Sequence, residues 1–330
     1  MLKKLCELCG TSGYEHDVIK YIEKFLDENK IAYHKDKLGN IIAYSGDRPE
    51  NIAICVHIDE VGFGVRGFTD DGMIKFSSVG SILEKILPSS RVIIGKDRIN
   101  GIIGNKPKHL KKKDEKAELT YDDLFIDIGA KNCEDAKKYV KIGDPIYWDS
   151  KYIEFGDNLI KAKALDDRVG VYTVLKLLSE KNYSFTACFN TREEIGVFGA
   201  KTTVPVLNVK KALVLEVTTC ADMPEIDIKT TKLGDGVALS VMDRGSVSDI
   251  SFNEKIETLA KKNKIPMQKK LTTAGGNDAN ALTYRSGGIK TAVLSVPGRY
   301  IHSPVTVISK DDLESMYNLC KKILEDTENE

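Results

Sequence analysis

The chain has 330 residues, which is long enough for one large domain or two smaller ones. Hydrophobic residues make up 42% of the sequence and charged residues 30%, the balance of a soluble globular protein. The formal net charge is zero, which argues against a general nucleic-acid-binding protein. The lysine-rich run at 106–116 is predicted to be a solvated loop, because acidic residues alternate with its last lysines and no aromatic residues interleave.

The cysteine usage and the lack of a recognisable targeting signal together predict a cytoplasmic protein. No apolar stretch is long enough to span a bilayer, and the first residues lack the apolar core of a signal peptide. The seven cysteines are odd in number and scattered, which favours reduced thiols over a disulfide framework. Cys6 and Cys9 form a CxxC pair. We expect them to share one face of a first helix as small buried hydrophobic residues, and not to bind zinc.

The first half of the chain begins with helical and strand patterns and then becomes rich in short strands. Apolar spacing predicts a helix over 17–26 and strands over 40–44 and 51–56. From 68 to about 157, short β-like segments are separated by glycines and turn dipeptides, and only 133–140 has a helical pattern. This part of the chain is therefore predicted to form a compact β-rich module.

After Ala164 the sequence alternates between strand and helix patterns, which is typical of an α/β domain with a largely parallel sheet. Strand patterns lie at 183–190, 211–217, 237–242 and 289–296, and helical patterns at 166–182, 197–207, 249–263, 278–287 and 311–328. We predict an α/β fold in which a mixed, largely parallel sheet is flanked by helices. Residues 1–66 and 158–330 would form this domain, with a small β-rich domain of residues 67–157 inserted into it.

A glycine motif in the first half imitates a dinucleotide-binding site. Residues 62–67 read GFGVRG, a literal GxGxxG directly after a predicted strand. The dinucleotide fingerprint must open a helix, whereas here the next residues, FTDDGMIKF, form a turn between β-like segments. We therefore reject this site. The motifs HExxH, GxSxG and GxxxxGK[ST] do not occur in the sequence.

Polar side chains directly follow five apolar strand patterns, which is where functional groups gather in open α/β sheets. Taken singly, each is a weak signal, because a lone histidine is usually structural and an aspartate after a strand usually caps a helix. Their joint occurrence is more informative, because two of only five histidines share this position with carboxylates. The five groups are His57 with Asp59, Asp166-Asp167, Glu193-Glu194, Glu216, and His302.

Two imidazoles and three carboxylates suit a pair of borderline metal ions such as zinc. Such ions lie ~3.5–4 Å apart and usually share one bridging carboxylate. On a strand, residues i and i+2 face the same side, so His57 can reach a metal while Asp59 orients its ring from behind. Adjacent side chains diverge, so one carboxylate of Glu193-Glu194 can bind metal while the other acts as a base.

Six segments resemble, in this order, the signature segments of the M42 family of metallo-aminopeptidases: HIDEVG, ALDDRVG, TREEIGVFGA, LVLEVT, AGGNDANAL and RYIHSP. This family is related to the tetrahedral (TET) aminopeptidases and to proteins labelled glutamyl aminopeptidase. The resemblance covers nearly the whole chain and implies a phosphorylase/hydrolase-like metallopeptidase domain. The block from GIIGNKPKHL to IGD resembles the family's β-type dimerisation domain, a PDZ-like barrel.

The resemblance implies two divalent metal ions per subunit, Zn²⁺ or Co²⁺ first and Mn²⁺ as a further candidate. Asp166 would bridge them. The family more often has aspartate at the position of Glu216, which is longer by one methylene. Because glutamate is still an oxygen ligand, we expect a shifted second metal and not a lost one. The implied ligands are His57, Asp166, Glu194, Glu216 and His302.

The implied activity is hydrolysis of N-terminal residues from peptides with a free N-terminus, through a metal-bound water and a glutamate base. Glu193 would be this base, Asp59 would orient His57, and Asp167 would cap the following helix or support the site. Gly275 and Gly276 would permit close backbone approach in a pocket for the first side chain. The resemblance further implies self-association, from dimers to dodecamers. We expect neither nucleic acid nor membrane as a partner.

Two alternatives remain open at the level of the sequence. A carboxypeptidase or N-deacylase resembling the M20 family would share an HxD pair, a bridging aspartate and a Glu-Glu pair. Its extra domain typically follows the Glu-Glu pair, whereas the β-rich block here lies between Asp59 and Asp166, which favours the M42 interpretation. The second alternative is a non-catalytic assembly protein that retains the fold. Such a protein would be expected to lose metal ligands, and none is missing apart from the exchange at Glu216.

Overall fold

The computed structural model describes residues 1–47, 49–107, 119–226, 231–284 and 287–328. Most of the predicted lysine-rich loop, residues 108–116, lies outside the described residues. The helices within them are α1 (Leu2–Glu7), α2 (His16–Asn29), α3 (Cys133–Ala136), α4 (Leu165–Glu180), α5 (Phe198–Thr203), α6 (Ile250–Lys262), α7 (Ala279–Tyr284) and α8 (Lys310–Glu328). Among the described residues, no helix combines the length and the apolar character needed to cross a bilayer.

The strands of the described residues form one large sheet and one barrel. In the order of the chain, the strands are β1 (Tyr33–Lys35), β2 (Ile41–Ser45), β3 (Ile52–His57), β4 (Gly62–Phe68), β5 (Ile74–Val79), β6 (Arg91–Ile94), β7 (Ile99–Asn105), β8 (Leu124–Asp127), β9 (Pro145–Trp148), β10 (Ile153–Phe155), β11 (Leu159–Ala162), β12 (Phe185–Asn190), β13 (Lys211–Thr219), β14 (Val237–Ser240), β15 (Met267–Lys270), β16 (Lys290–Arg299) and β17 (Thr306–Ser309).

The large sheet is mixed, as predicted, and its centre is parallel. Eleven strands belong to it, nine of them in the order β1-β2-β12-β3-β13-β16-β17-β11-β10, while β14 pairs with β16 and β15 pairs with β14. Strands β12, β3, β13 and β16 run parallel to one another. Every residue of β3 and of β12 is buried, which matches their nearly unbroken apolar sequences.

Alternation along the central strands covers both faces of the sheet. In β3, Ile54 and Val56 belong to a large core with α1, α2, α4, α6 and α8, whereas Ala53 and Cys55 pack in a smaller core with α5 and α7. Because successive side chains of a strand point to opposite faces, one continuous apolar run can fill both cores. Helices therefore flank both faces of the sheet, as the fold class requires.

Strands β4 to β9 close into an antiparallel barrel in the order β4-β5-β8-β7-β6-β9. Its core contains Phe63, Phe76 and Trp148, with ring centroids of Phe63 and Phe76 5.2 Å apart and an edge-to-face geometry. The GxGxxG segment lies in β4, where a strand and not a helix follows it, so its rejection as a dinucleotide site is confirmed. The predicted domain boundaries at 67 and 157 stay a prediction. The barrel strands begin with β4 at Gly62, and β10, which lies inside the predicted range, pairs within the large sheet.

Some local predictions were wrong. Helix α1 ends at Glu7 and Leu8 is already extended, so Cys9 lies beyond the helix and does not share a helical face with Cys6. Both thiols are nevertheless buried, as predicted, and all seven cysteines are free. The helix predicted over 133–140 ends at Ala136. Strands β15 and β17 were not predicted, because each has only four residues and at most two of them are apolar.

A buried ion pair joins the end of β11 to the segment after β3. Lys163 Nζ donates to Glu60 Oε1 at 2.7 Å, to Glu60 Oε2 at 2.9 Å and to the Leu8 carbonyl at 2.6 Å. The guanidinium of Arg168, itself fully buried, lies 3.7 Å from Glu60 Oε1 and also donates to the carbonyl of Ile58. Glu60 therefore points away from Asp59 and ties together three segments that surround the strand ends.

Replacing Lys163 with methionine tests how strongly the fold depends on this pair. We expect Lys163→Met to lower the free energy of unfolding by about 3–5 kcal/mol, because Glu60 keeps a buried charge without its principal partner. Urea unfolding of both proteins measures the difference. Lys137→Met is the matched control, because its pair with Glu134 is exposed, and a change below about 1 kcal/mol is expected there. Equally small changes in the two variants would contradict the interpretation.

Candidate metal centre and active site

The five predicted polar groups meet at one edge of the large sheet. Because β12, β3, β13 and β16 are parallel, their carboxyl ends share an edge. Strand β11 is antiparallel to β17, which is antiparallel to β16, so β11 ends at this edge as well. His57 is the last residue of β3, and the segments with Asp166, Glu193-Glu194 and His302 follow β11, β12 and β16; Glu216 lies within β13.

The carboxylate of Asp166 lies between two groups of potential ligand atoms. On one side, its Oδ1 atom is 3.3 Å from His57 Nε2, which is 3.7 Å from Glu216 Oε2. On the other side, its Oδ2 atom is 3.6 Å from His302 Nε2, which is 3.3 Å from Glu194 Oε2. Each group therefore consists of one imidazole nitrogen, one glutamate oxygen and one oxygen of the same aspartate.

These spacings fit divalent cations. A tetrahedral ion with bonds of about 2.0–2.2 Å to nitrogen and oxygen places its ligands roughly 3.3–3.6 Å apart, close to the separations in both groups. Ligand atoms of His57, Asp166 and Glu194 also all lie within 4.8 Å of one another, so the two groups are contiguous. The residues present thus match the donor types and the distances of a metal centre.

The pKa shifts within the cluster also favour a metal centre. Burial raises the pKa of Glu194 to about 7 and also raises the pKa values of Glu193 and Glu216, with Asp166 adding to the effect on Glu194 and Glu216. Burial opposes protonation of His57, but Glu216, Asp166 and Asp59 outweigh it and raise the pKa of the imidazole. Carboxylates packed this closely repel one another unless cations lie among them.

Asp59 connects the first histidine to the Glu-Glu pair. Its Oδ1 atom lies 3.4 Å from His57 Nδ1 and accepts the backbone N–H of Glu193 at 3.0 Å. Its Oδ2 atom accepts the hydroxyl of Ser12 at 2.6 Å and the backbone N–H of Glu194 at 3.1 Å. One fully buried carboxylate therefore faces the His57 ring and also fixes the path of the chain through the Glu-Glu pair.

Glu193 and Glu194 diverge within a tight turn. Glu194 points to His302, whereas the carboxylate of Glu193 makes no hydrogen bond or ion pair with any residue in the described ranges and lines a cavity. The turn is held by hydrogen bonds from the N–H groups of Gly196 and Val197 to the Glu193 carbonyl. On its other side, Glu15 accepts the backbone N–H of Arg192 at 3.2 Å.

Asp167 does not join the ligand cluster. Its Oδ1 atom accepts the backbone N–H of Gly170 at 2.9 Å, the geometry of a helix N-cap, as was expected of this residue. A Cβ atom on Gly170 would overlap the Asp167 carboxylate, so the sequence ALDDRVG needs its glycine here. Asp166 and Asp167 have non-helical backbone angles within α4, so the cap fixes where the regular helix begins after them and thereby limits where the Asp166 carboxylate can point.

The barrel also contributes to the site. His302 Nδ1 lies 2.9 Å from the carbonyl of Ser81, which follows β5. A hydrogen bond to this carbonyl fixes the ring so that Nε2 faces Asp166 and Glu194. His302 keeps about a third of its side chain exposed, whereas His57 is buried, so the two groups differ in their access to solvent.

The cluster lines a cavity of about 630 Å³. Gly275, Gly276 and Asn277 line it, so the glycine-rich segment is in the predicted place. Arg244 and Lys270 line the same cavity. A second cleft of about 740 Å³, between the N-terminal segment and the barrel, contains none of the predicted metal ligands and is not part of this centre.

Sequence reasoning missed four residues that shape this centre: Ser12, Ser81, Arg244 and Lys270. Ser81 acts through its backbone carbonyl, which leaves no signal in the sequence. Ser12 lies in a short polar segment between two helices, far from any strand end. For Lys270 the sequence contains a usable signal, since this residue directly precedes the loop with the glycine-rich segment. Arg244 is distant in the chain and meets this segment only in the fold.

Most of the chain matches a known protein family. Residues 39–319 match the sequence model of a family described as M42 glutamyl aminopeptidase. The chain belongs to the M42 family. It is therefore a peptidase, and the M20-like and non-catalytic alternatives lose their support.

Individual M42 relatives resemble the chain along nearly its whole length. It is 28% identical to lysyl aminopeptidase of Pyrococcus furiosus, over 99% of this chain and 96% of the relative. The crystal structure of a TET aminopeptidase from the archaeon Thaumarchaeota archaeon SCGC AB-539-E09 matches with a TM-score of 0.94 and 30% identity, over 99% of this chain and 97% of that one. TET1 peptidase of Pyrococcus horikoshii, which can assemble into a tetrahedron or a large octahedral shell, matches with a TM-score of 0.87 and 30% identity over 98% of both chains.

Proposed function

We propose that this M42 peptidase is an aminopeptidase whose residues around Asp166 would hold two divalent cations. The observation that carries the proposal is the division of the ligand atoms. His57 lies beside Oδ1 and next to Glu216, whereas His302 lies beside Oδ2 and next to Glu194. Asp166 would be the bridge and the other four residues the terminal ligands. Zn²⁺ and Co²⁺ suit this mixture of nitrogen and oxygen donors best, and Mn²⁺ is a further candidate.

Cations bound here supply Lewis acidity, which polarises a peptide carbonyl and acidifies water. Glu193 supplies the proton transfer. Its carboxylate lines the cavity without a partner among the described residues, so it is free to take a proton from the attacking water and to pass it to the leaving amine. Asp59 positions this base indirectly, because it holds the Glu193 backbone and the His57 ring at once.

The same arrangement favours cleavage at the N-terminus. Acidic side chains that line the cavity attract the positive α-amino group of a peptide, and an acylated N-terminus has no such charge. The residue names attached to the family and to the Pyrococcus furiosus protein, glutamyl and lysyl, differ. Membership of the family therefore leaves the preferred N-terminal residue open.

We further propose that the protein self-associates and works in the cytoplasm. The assembly of the Pyrococcus horikoshii relative supports the first point, and the seven free thiols fit a reducing compartment. Residues 67–157, with the barrel as their core, would act as the dimerisation domain, and residues 1–66 and 158–330 as the catalytic domain. The barrel strands themselves run from Gly62 to Trp148, so the proposed range begins five residues after the start of the barrel and ends nine residues after its last strand.

A tripeptide assayed with a free and with an acetylated N-terminus tests the proposed activity. With Zn²⁺ or Co²⁺ added to chelator-treated protein, we expect release of the first residue from the free peptide and no cleavage of the acetylated one. Mass spectrometry of the products identifies the bond that is cut. Release of the last residue from both peptides, or of acetate from the second, would indicate the M20-like activities instead.

The variant Glu193→Gln tests the general base. We expect turnover to fall by about 10²–10⁴-fold, the usual contribution of a positioned base, while the metal content stays at the wild-type value because the amide replaces no ligand. Turnover is measured with an aminoacyl p-nitroanilide and metal content by atomic emission. Glu254→Gln is the control, since Glu254 is exposed on α6. Unchanged turnover in Glu193→Gln would exclude Glu193 as the base.

A further inference from the structure

A buried indole N–H in the barrel lacks an acceptor among the described residues. Trp148, the only tryptophan of the chain, is the last residue of β9 and is 2% exposed. Its Nε1 atom is buried and makes no hydrogen bond with any residue that the structure describes. Buried indole N–H groups usually have an acceptor, because an unpaired buried donor loses its hydration without compensation. A water molecule is the natural acceptor if the site has room for one.

The core of the barrel holds the Trp148 ring in place but supplies no acceptor for it. The ring packs edge-to-face on Phe63, with the two ring centroids 5.0 Å apart. Val92 lies opposite Trp148 in the ladder between β6 and β9, and the other side chains of this core are apolar as well. The acceptor of the N–H group must therefore be sought outside the barrel core.

Trp148 also lines a small cavity that it shares with the acidic cluster. The volume of this cavity is about 10 Å³, enough for one water molecule and no more. Asp166, Glu194 and His302 line the same cavity. An internal water is stable when it has two to four polar partners. One water in this place therefore contacts both the barrel and the proposed metal ligands.

The other polar side chains that line this cavity already have partners. The two oxygens of Glu60 accept hydrogen bonds from Lys163, at 2.7 and 2.9 Å. The hydroxyls of Ser303 and Thr306 both donate to the carbonyl of Tyr300. These three residues therefore do not depend on the cavity for their hydrogen bonds.

Among the proposed ligands in the cavity lining, Glu194 has a carboxylate oxygen that is free to accept from a water. Asp166 Oδ1 lies 3.3 Å from His57 Nε2 and Asp166 Oδ2 lies 3.6 Å from His302 Nε2, so both oxygens face imidazoles. In Glu194 it is Oε2 that faces His302, at 3.3 Å. Its Oε1 atom makes no hydrogen bond or ion pair within the described ranges of the chain.

We propose that Trp148 positions Glu194 through one internal water, which accepts the indole N–H and donates to Glu194 Oε1. The inference rests on the proposed two-cation function and names a positioning residue of that same site. Groups that hydrogen-bond to a metal ligand fix its orientation, either directly or through water. Trp148 touches neither substrate nor cation in this assignment and acts only through Glu194.

This water would make the two cation sites differ in what supports them. At one site the barrel orients both terminal ligands, since the carbonyl of Ser81 also lies 2.9 Å from His302 Nδ1. At the other site, His57 is faced by Asp59, which follows β3 of the large sheet. Loss of the indole N–H should therefore weaken the first site and leave the second unchanged.

The variant Trp148→Phe removes the donor and keeps an aromatic ring. Chelator-treated protein is titrated with Zn²⁺ in a calorimeter, which measures the affinity of each site without any need for activity. We expect one affinity to fall by about 10- to 100-fold and the other to stay within about threefold of wild type. Anomalous diffraction at limiting zinc should then find the site beside His57 and Glu216 occupied and the site beside His302 and Glu194 depleted.

Phe63→Leu is the matched control, because it disrupts the same aromatic contact and leaves the indole N–H in place. We expect it to lower the Tm, as Trp148→Phe does, with both zinc affinities at their wild-type values. Unchanged affinities in Trp148→Phe, or the same loss in both variants, would overturn the inference while leaving the two-cation function intact.

A high-resolution crystal structure of the wild-type protein tests the water itself, and it does so even if Trp148→Phe does not fold. We expect one water within about 3.2 Å of both Trp148 Nε1 and Glu194 Oε1. Absence of this water, or a protein group that accepts the indole N–H directly, would overturn the inference. Wild-type protein that binds no pair of cations around Asp166 would overturn the proposed function, and the inference with it.

Discussion

Mutual repulsion among buried carboxylates is the constraint on which the rest of this structure depends. Three carboxylates lie within about 4 Å of the imidazoles of His57 and His302 at one edge of a buried sheet, namely those of Asp166, Glu194 and Glu216. Glu193 lines the same cavity. Such a cluster is stable only with compensating positive charge. The two histidines provide part of it. The division of the donors around Asp166 indicates where two cations would provide the remainder, and hydrolytic chemistry follows from that placement.

The fold meets this constraint by distributing the acidic residues over separate strand ends, each fixed from behind. Asp59 faces the His57 ring and holds the Glu193-Glu194 backbone, and the cap between Asp167 and Gly170 sets the start of the regular part of α4. The barrel fixes His302 through the carbonyl of Ser81. The barrel is thus part of the site as well as a candidate surface for self-association. Movement of the barrel relative to the sheet would change the orientation of one ligand.

The sequence predicted the central sheet and the convergence of the polar groups well, for a simple reason. A buried parallel strand is an almost unbroken apolar run, so a polar residue at its end stands out, as His57 does at the end of β3. Strands β15 and β17 were missed because each combines four residues with at most two apolar ones, which gives too little pattern. The contacts of Ser12 and Ser81 and the burial of Lys270 were missed because they depend on how distant segments meet. Cys9 shows the limit of spacing arguments, since the helix that was to place it beside Cys6 ends two residues earlier.

The central claim is that Asp166 separates two cation sites, and anomalous diffraction from a zinc-soaked crystal tests it most directly. We predict two peaks about 3.5–4 Å apart, one enclosed by His57, Glu216 and Asp166 Oδ1, the other by His302, Glu194 and Asp166 Oδ2. A single peak, or zinc bound away from Asp166 while both histidines remain free, would contradict the account.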